Sequence, residues 1–156
     1  PEFLSSNAAL DISRREADIG IRTRRPEQNW LAGRRLRRIE FAEYGLDDTV
    51  RGYVVLPATA AGTPSTRWVQ QHHADAVVTT VTDMRLAVDL AQSGVARVVL
   101  PTFAADGISG LSRLSQPIES LTHDEWFVAH HEARHDPHVR RARDALTRAI
   151  DRGPPG

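Results

Sequence analysis

The chain has no cysteine and no lysine, a single methionine, few aromatic residues and no surplus of either charge. Without cysteine there is no disulfide framework, no thiolate nucleophile and no cysteine-ligated zinc, and the redox compartment is left unmarked. No apolar run approaches the roughly 18 residues of a membrane span, and no signal-peptide core opens the chain. The expectation is a soluble, unexported, cytoplasmic protein with no membrane partner. Twenty basic residues balance twenty acidic ones, which argues against the strong cationic field of a dedicated nucleic-acid binder. Every basic residue is an arginine, a pattern that reads first as the coding bias of GC-rich DNA.

At 156 residues the chain suits one domain or two small lobes, and a globule of this size buries about 70% of the surface its unfolded form exposes. A core then forms without covalent staples. No Walker or dinucleotide glycine pattern occurs, and Gly107 to Leu111 misses the nucleophile elbow by one position. The acidic pair Asp47 and Asp48 sits in a turn, where capping is the ordinary role. No catalytic constellation emerges, and the expectation is a protein that is not an enzyme and takes neither cofactor nor metal.

Strands and helices alternate along the chain. A polar helical turn around Asp11 to Glu16 precedes a short strand, Ala17 to Arg22, with Ile19 and Ile21 on one face. Ile39 and Phe41 alternate with Glu40 and Ala42 in a second strand with one face buried, which Gly45 and the acidic pair end. Tyr53 to Leu56 is a brief apolar run, Pro57 to Ser65 a surface loop, and Trp68 to His73 a short helix. Ala76 to Val81 reads as a β-branched strand, with Thr82 or Asp83 as N-cap of the next helix. There Met84, Ala87, Val88 and Ala91 recur at helical spacing, Leu86 and Leu90 widen the buried face, and Gly94 supplies a left-handed end. Val95 to Leu100 completes a βαβ unit with parallel strands buried on both faces. Asp136 and Pro137 open a last helix with the apolar stripe Val139, Ala142, Leu146, Ala149 and Ile150.

Three blocks carry a family likeness: LDISRREADIGIR from Leu10 to Arg22, TDMRLAVDLAQSGVARVVLPTFAAD from Thr82 to Asp106, and EWFVAHHEARHDPHVRRARDAL from Glu125. In this order, over about Leu4 to Asp151, the chain resembles the C-terminal effector-binding (substrate-binding) domain of LysR-type transcriptional regulators. The resemblance implies an α/β, two-lobed, periplasmic-binding-protein-like (type II) fold. The first lobe takes residues 1–44 plus 122–156, the second lobe 45–121, and a cleft lies between them. It also implies an N-terminally truncated domain, because the opening strand and helix and the DNA-binding helix-turn-helix have no counterpart here.

On that model a small-molecule effector, with a carboxylate-like anion among its candidates, occupies the cleft, outside the carboxyl ends of the strands. The pocket segments carry over to Arg22, Thr23, Thr80, Thr82, Pro101 and Thr102. Arg22 would clamp a carboxylate, and the helix beginning at Thr82 would offer N–H groups to an anion. The family's pairing implies a homodimer or higher homo-oligomer, antiparallel, through the opening helix that has no counterpart here and the helix Met84 to Ser93, with DNA reached only through the absent N-terminal domain. One departure stands out: Gly94, Val95, Ala96 and Arg97 replace the family's frequent Gly-Leu-Gly-Ile.

Rival readings come from other classes. His131, Glu132, Ala133, Arg134 and His135 spell HExxH, the zinc-hydrolase motif, which works only where a helix places both imidazoles on one face. Here Trp126 to Val128 reads as a strand leading in and Asp136-Pro137 as a new helix, leaving no room for the motif's own helix. Seven arginines between Arg22 and Arg38 suit phosphates, but Trp30 is the sole aromatic among them, so no stacking platform forms and a solvated basic face is the default. A ligand-free interaction fragment is the remaining alternative.

Overall fold

The computed structural model describes residues 18–57 and 63–152. The helical turn expected at Asp11 to Glu16 lies outside these residues. In chain order the elements are β1 (Ile19–Arg22), β2 (Leu31–Ile39), β3 (Phe41–Gly45), β4 (Tyr53–Val55), α1 (Pro64–His72), β5 (Val77–Thr80), α2 (Met84–Gln92), β6 (Val98–Pro101), α3 (Thr102–Ala105), β7 (Ser112–Arg113), β8 (His123–His130) and α4 (Pro137–Arg152). They form two units. One combines the segment ending at Arg38 with the segment starting at His123, and the other runs from Ile39 to Thr122.

In the first unit the sheet order is β1-β8-β2, with β1 antiparallel to β8 and Arg22 opposite Trp126. Phe127, Ala129 and Val139 form its core, joined by Ile19, Leu36, Ala133 and Leu146. Ile19 packs inward as its alternation predicts, but Ile21 remains 45% exposed. β2 has no counterpart among the strands expected from the sequence. Its LAGRRLRRI carries four arginines and no apolar alternation, the composition of a charged edge strand. Asp136 caps α4 by accepting the amide of His138 at 2.7 Å, as the Asp-Pro pair predicts. Along α4, Val139 and Leu146 reach the core, whereas Ala149 is exposed.

In the second unit β3 pairs antiparallel with β6 and with β7, and β4 pairs parallel with β5. A parallel bridge between Tyr53 and Arg97, with Val54 N donating to Arg97 O at 2.9 Å, sets β4 beside β6. The resulting order is β5-β4-β6-β3-β7. The strands flanking α2 are parallel, as expected, but β4 lies between them, so β5 is an edge strand with Val78 56% exposed. β3 is the opposite case. It lies between β6 and β7, so Ala42, Glu43 and Tyr44 are all buried and the expected one-sided alternation is absent. Its pairing also moves residues 39–44 out of the expected first lobe, and the boundary falls between Arg38 and Ile39.

Alternate residues of the second sheet serve different helices. Val54, Val98 and Leu100 cluster with Ala87 and Ala91 of α2, whereas Tyr53, Val55 and Val99 cluster with Val69 of α1. Each such aliphatic side chain contributes about 1.5–3 kcal/mol by its burial. α1 begins earlier than the sequence suggests, because Thr63 accepts the Thr66 amide and Pro64 occupies the first turn. On α2 the apolar contact is narrow. Ala87 and Ala91 are buried while Leu86, about 100° round the helix, is 48% exposed. Gly94 ends α2 with φ +76°, the left-handed turn expected of it.

Candidate functional site

β4, β5 and β6 run in the same direction, so their carboxyl ends meet at one end of the second sheet. Four of the six residues singled out in the sequence lie there: Thr80 closes β5, Thr82 precedes α2, Pro101 closes β6, and Thr102 opens α3. Thr80 and Thr82 are exposed, Pro101 and Thr102 half-buried. Arg22 and Thr23 belong to the other unit, where Arg22 ends β1 half-buried and Thr23 is exposed in the following bend.

Local bonding changes the expected role of two of these groups. The amide of Thr102 donates to Glu40 O at 2.9 Å and is spent on the fold. The N-cap of α2 is Asp83, not Thr82, and its carboxylate accepts the Arg85 amide at 2.6 Å. The positive end of α2 therefore already holds an anion, which opposes a second one. α1 differs. Its N-terminus, beyond the end of β4, carries no acidic residue in the first turn. There Thr63 Oγ1 lies 3.0 Å from Ser65 Oγ and 3.1 Å from Thr66 Oγ1, with Ser65 and Thr66 buried.

These hydroxyls are the polar groups that sequence reasoning missed. Residues 57–65 look like a loop by composition, although Thr-Pro followed by Ser and Thr is itself a helix-start signal. Leu56, Ser65, Thr66 and Met84 line a cleft with about 10 Å³ of room, enough for no more than one water.

Two polar networks brace this sheet. Arg97, which departs from the family pattern, donates to Glu43 Oε2 at 2.9 Å and to the carbonyl of Val50 at 2.6 Å. It thus neutralises a carboxylate on a central strand and ties down the turn after β3. Burial, with the neighbouring Glu43 carboxylate, pushes Tyr53 up to about 12. On the other side of β3, Tyr44 donates to Asp106 Oδ1 at 2.6 Å, and Arg113 also binds Asp106. Burial pushes Tyr44 up to about 12, and the hydrogen bond to Asp106 adds to the rise. Burial also works to raise Asp106, but its bonds from Arg113 and Tyr44 outweigh this and hold the carboxyl below its ordinary value.

The HExxH residues do not form a helix. β8 ends at His130, a 3-10 turn spans Ala133–His135, and α4 starts at Pro137. Arg134 lies between the imidazoles, with its Nη1 against His131 Nε2 and its Nε 2.9 Å from His135 Nε2. A guanidinium thus stands where zinc would, and among the described residues no group of three or more His, Asp or Glu side chains is placed to hold a metal ion. Nor is any helix among them long and apolar enough to cross a membrane.

No protein-family model and no curated protein matches the sequence. Solved structures do. The full-length regulator LysG of Corynebacterium glutamicum with bound effector Arg superposes with a TM-score of 0.67 at 13% identity, over 91% of this chain and 54% of that one. The regulatory domain of CrgA, a LysR-type transcriptional regulator from Neisseria meningitidis, gives 0.59 at 16% identity, over 87% of this chain and 76% of that one. The reduced OxyR regulatory domain from Pseudomonas aeruginosa gives 0.61 at 14%, over 89% and 74%. The chain has the fold of a LysR-type effector domain. This is the α/β, type II periplasmic-binding-like fold expected from the sequence blocks, and the chain spans about half the length of the full-length regulators it matches. The LysR-type proteins that share the fold are transcriptional regulators, not enzymes.

Proposed function

We propose that the chain is the effector-sensing and oligomerisation part of a LysR-type transcriptional regulator, acting in the cytoplasm and binding a small metabolite. The observation that carries this reading is the convergence of Thr80, Thr82, Pro101 and the buried Ser65 and Thr66 hydroxyls at the carboxyl end of one sheet. In α/β sheets that end is where ligands bind. Arg22 and Thr23, on the other unit, are the further residues proposed for the ligand. Hydroxyls and a guanidinium suit a small carboxylate or amino acid, with Arg22 as its bidentate partner.

The mechanism is a population shift. Effector favours one conformational state of the domain, and in the full regulator this alters the placement of DNA-binding modules carried elsewhere. Homodimer formation uses α2, whose Met84 and Leu86 are 37% and 48% exposed, an apolar surface that pairing would cover. The charge distribution favours one unit meeting the other unit of its mate. Among the described residues the first unit carries thirteen arginines against eight acidic residues and the second five against nine.

The test is a thermal-shift and calorimetric screen of the chain against small carboxylates, amino acids and aromatic acids. Saturable stabilisation by one class, lost in Arg22→Ala, is the expected result, since a ligand bound only by the folded state raises its stability. A folded protein indifferent to every class would make the chain an interaction fragment and overturn the sensor reading.

A further inference from the structure

At the root of α4 the hydrogen bonds between arginine and histidine fix a protonation state. Arg134 Nη1 lies against His131 Nε2, Arg134 Nε lies 2.9 Å from His135 Nε2, and Arg141 Nη2 lies 3.1 Å from His138 Nδ1. A guanidinium has only N–H donors and keeps its proton in proteins, so in each contact the imidazole nitrogen is the acceptor. Only the neutral ring has a lone pair there. His130 follows the same rule, because its Nδ1 accepts the Glu132 amide at 3.3 Å. Four of the seven histidines thus accept through a nitrogen whose protonation ends the bond.

These contacts sit on a turn with a structural task. The 3-10 segment Ala133–His135 joins β8 to α4, and Ala133 packs against the core of the unit. The Asp136 amide donates to Ala133 O at 2.9 Å, the Asp136 carboxylate caps α4 through the His138 amide, and the Arg140 amide donates to Asp136 O at 2.9 Å. The His131 amide donates to Trp30 O at 2.7 Å and ties the turn to the start of β2. The other charged or titratable groups around it are Arg34 from β2, His130 from β8, Glu132 in the turn, and Asp136, Arg140, Arg143 and Asp144 from α4. Glu132, Asp136 and Asp144 form no ion pair with an imidazole, so no carboxylate offsets an added proton at close range.

We propose that this turn is a pH-sensitive latch on α4, opened when His131, His135 and His138 take up protons. Each proton removes an accepted hydrogen bond and sets an imidazolium against a guanidinium. Arg134 then keeps only the His131 carbonyl, at 3.1 Å. Free imidazole is half protonated near about pH 6.5, whereas ordinary carboxylates stay charged down to about pH 4, so mild acid acts on the histidines and spares the Asp136 cap. All the groups lie in the first unit, and the latch does not depend on a bound effector.

The test uses the intact chain, with hydrogen-exchange protection factors of the Asp136, His138 and Arg140 amides measured at about pH 7.5 and about pH 5.5, and imidazole protonation read from ring-nitrogen NMR shifts. At the higher pH, Nε2 of His131 and His135 and Nδ1 of His138 should carry no proton. Acidification should lower the three protection factors about fivefold, the scale of one net hydrogen bond, while amides of β4 and β6 hold theirs. Combining His131→Gln, His135→Gln and His138→Asn keeps an acceptor oxygen at each place without a titrating ring. This triple variant should stay protected at both pH values, at unchanged Tm at the higher one, because all three imidazoles are exposed. Three results overturn the latch: a proton on those acceptor nitrogens at the higher pH, protection that does not respond to acid in the parent, or an equal acid response in the triple variant, which assigns the effect to the remaining histidines.

Discussion

Arg97 Nη1 lies 2.9 Å from Glu43 Oε2, and the two side chains are only 14% and 11% exposed. The pair joins β3 to the start of β6, and Arg97 also donates to the carbonyls of Val50 and Asp48. The residue that departs from the family pattern is thus explained by a carboxylate far away in sequence.

Arg97→Met should therefore cost about 3–5 kcal/mol, because it leaves Glu43 buried without its cation. Glu43→Gln combined with Arg97→Met should cost less than Arg97→Met alone. Urea denaturation measures both, and equal or greater loss in the double variant would overturn the cost assigned to an unpaired Glu43.

Alkaline titration should find no tyrosine ionising near 10. The chain has two tyrosines, Tyr44 and Tyr53, and both are pushed up to about 12. In the unfolded chain they ionise at about 10, so the unfolded state loses protons first and stability falls as pH rises from 10 through 12. Phenolate absorbance recorded alongside circular dichroism checks this, and a phenolate signal near 10 with the fold intact would contradict it.

At the end of α2, Gly94→Ala should destabilise by about 1–2 kcal/mol, the cost of a Cβ in the left-handed region. The added atom also lies 3.1 Å from a Leu46 methyl. Gly107→Ala, where a Cβ meets nothing within 4 Å, should change stability by less than about 0.5 kcal/mol. Thermal melts of the two variants give the comparison.

Zinc should not stabilise the chain, because Arg134 stands between His131 and His135. Thermal shifts with zinc chloride, with and without chelator, should coincide, and Glu132→Gln should melt as the parent does. A chelator-sensitive rise in Tm would return the histidines to the front.

Part of the proposed site is readable from the sequence because its residues lie on strand ends. Thr80, Thr82, Pro101 and Thr102 follow apolar runs directly, so reading where a strand stops locates them. The Asp83 cap and the Thr102 amide bond were not legible in the same way. Thr82 and Asp83 are both capable caps, and the choice depends on which oxygen reaches Arg85 N. The α1 hydroxyls were hidden by composition, since small residues and Pro read as loop until the helix after them packs on Tyr53 and Val55.

The sequence by itself determined the elements whose signals are local: the strand Val98–Pro101 from its apolar run, α2 from its 3.6-residue period and the glycine after it, and α4 from its Asp-Pro start. It determined the fold class through the order of those elements. Only the tertiary structure decided that β4 enters between β5 and β6, that β3 is buried on both faces, and that Leu86 stays in water while Ala87 does not. Each of these depends on a neighbour brought close by folding, as Glu43 and Arg97 are across 54 positions. Periodicity encodes which face of an element is apolar, whereas the partner that covers that face is set by packing over the whole unit.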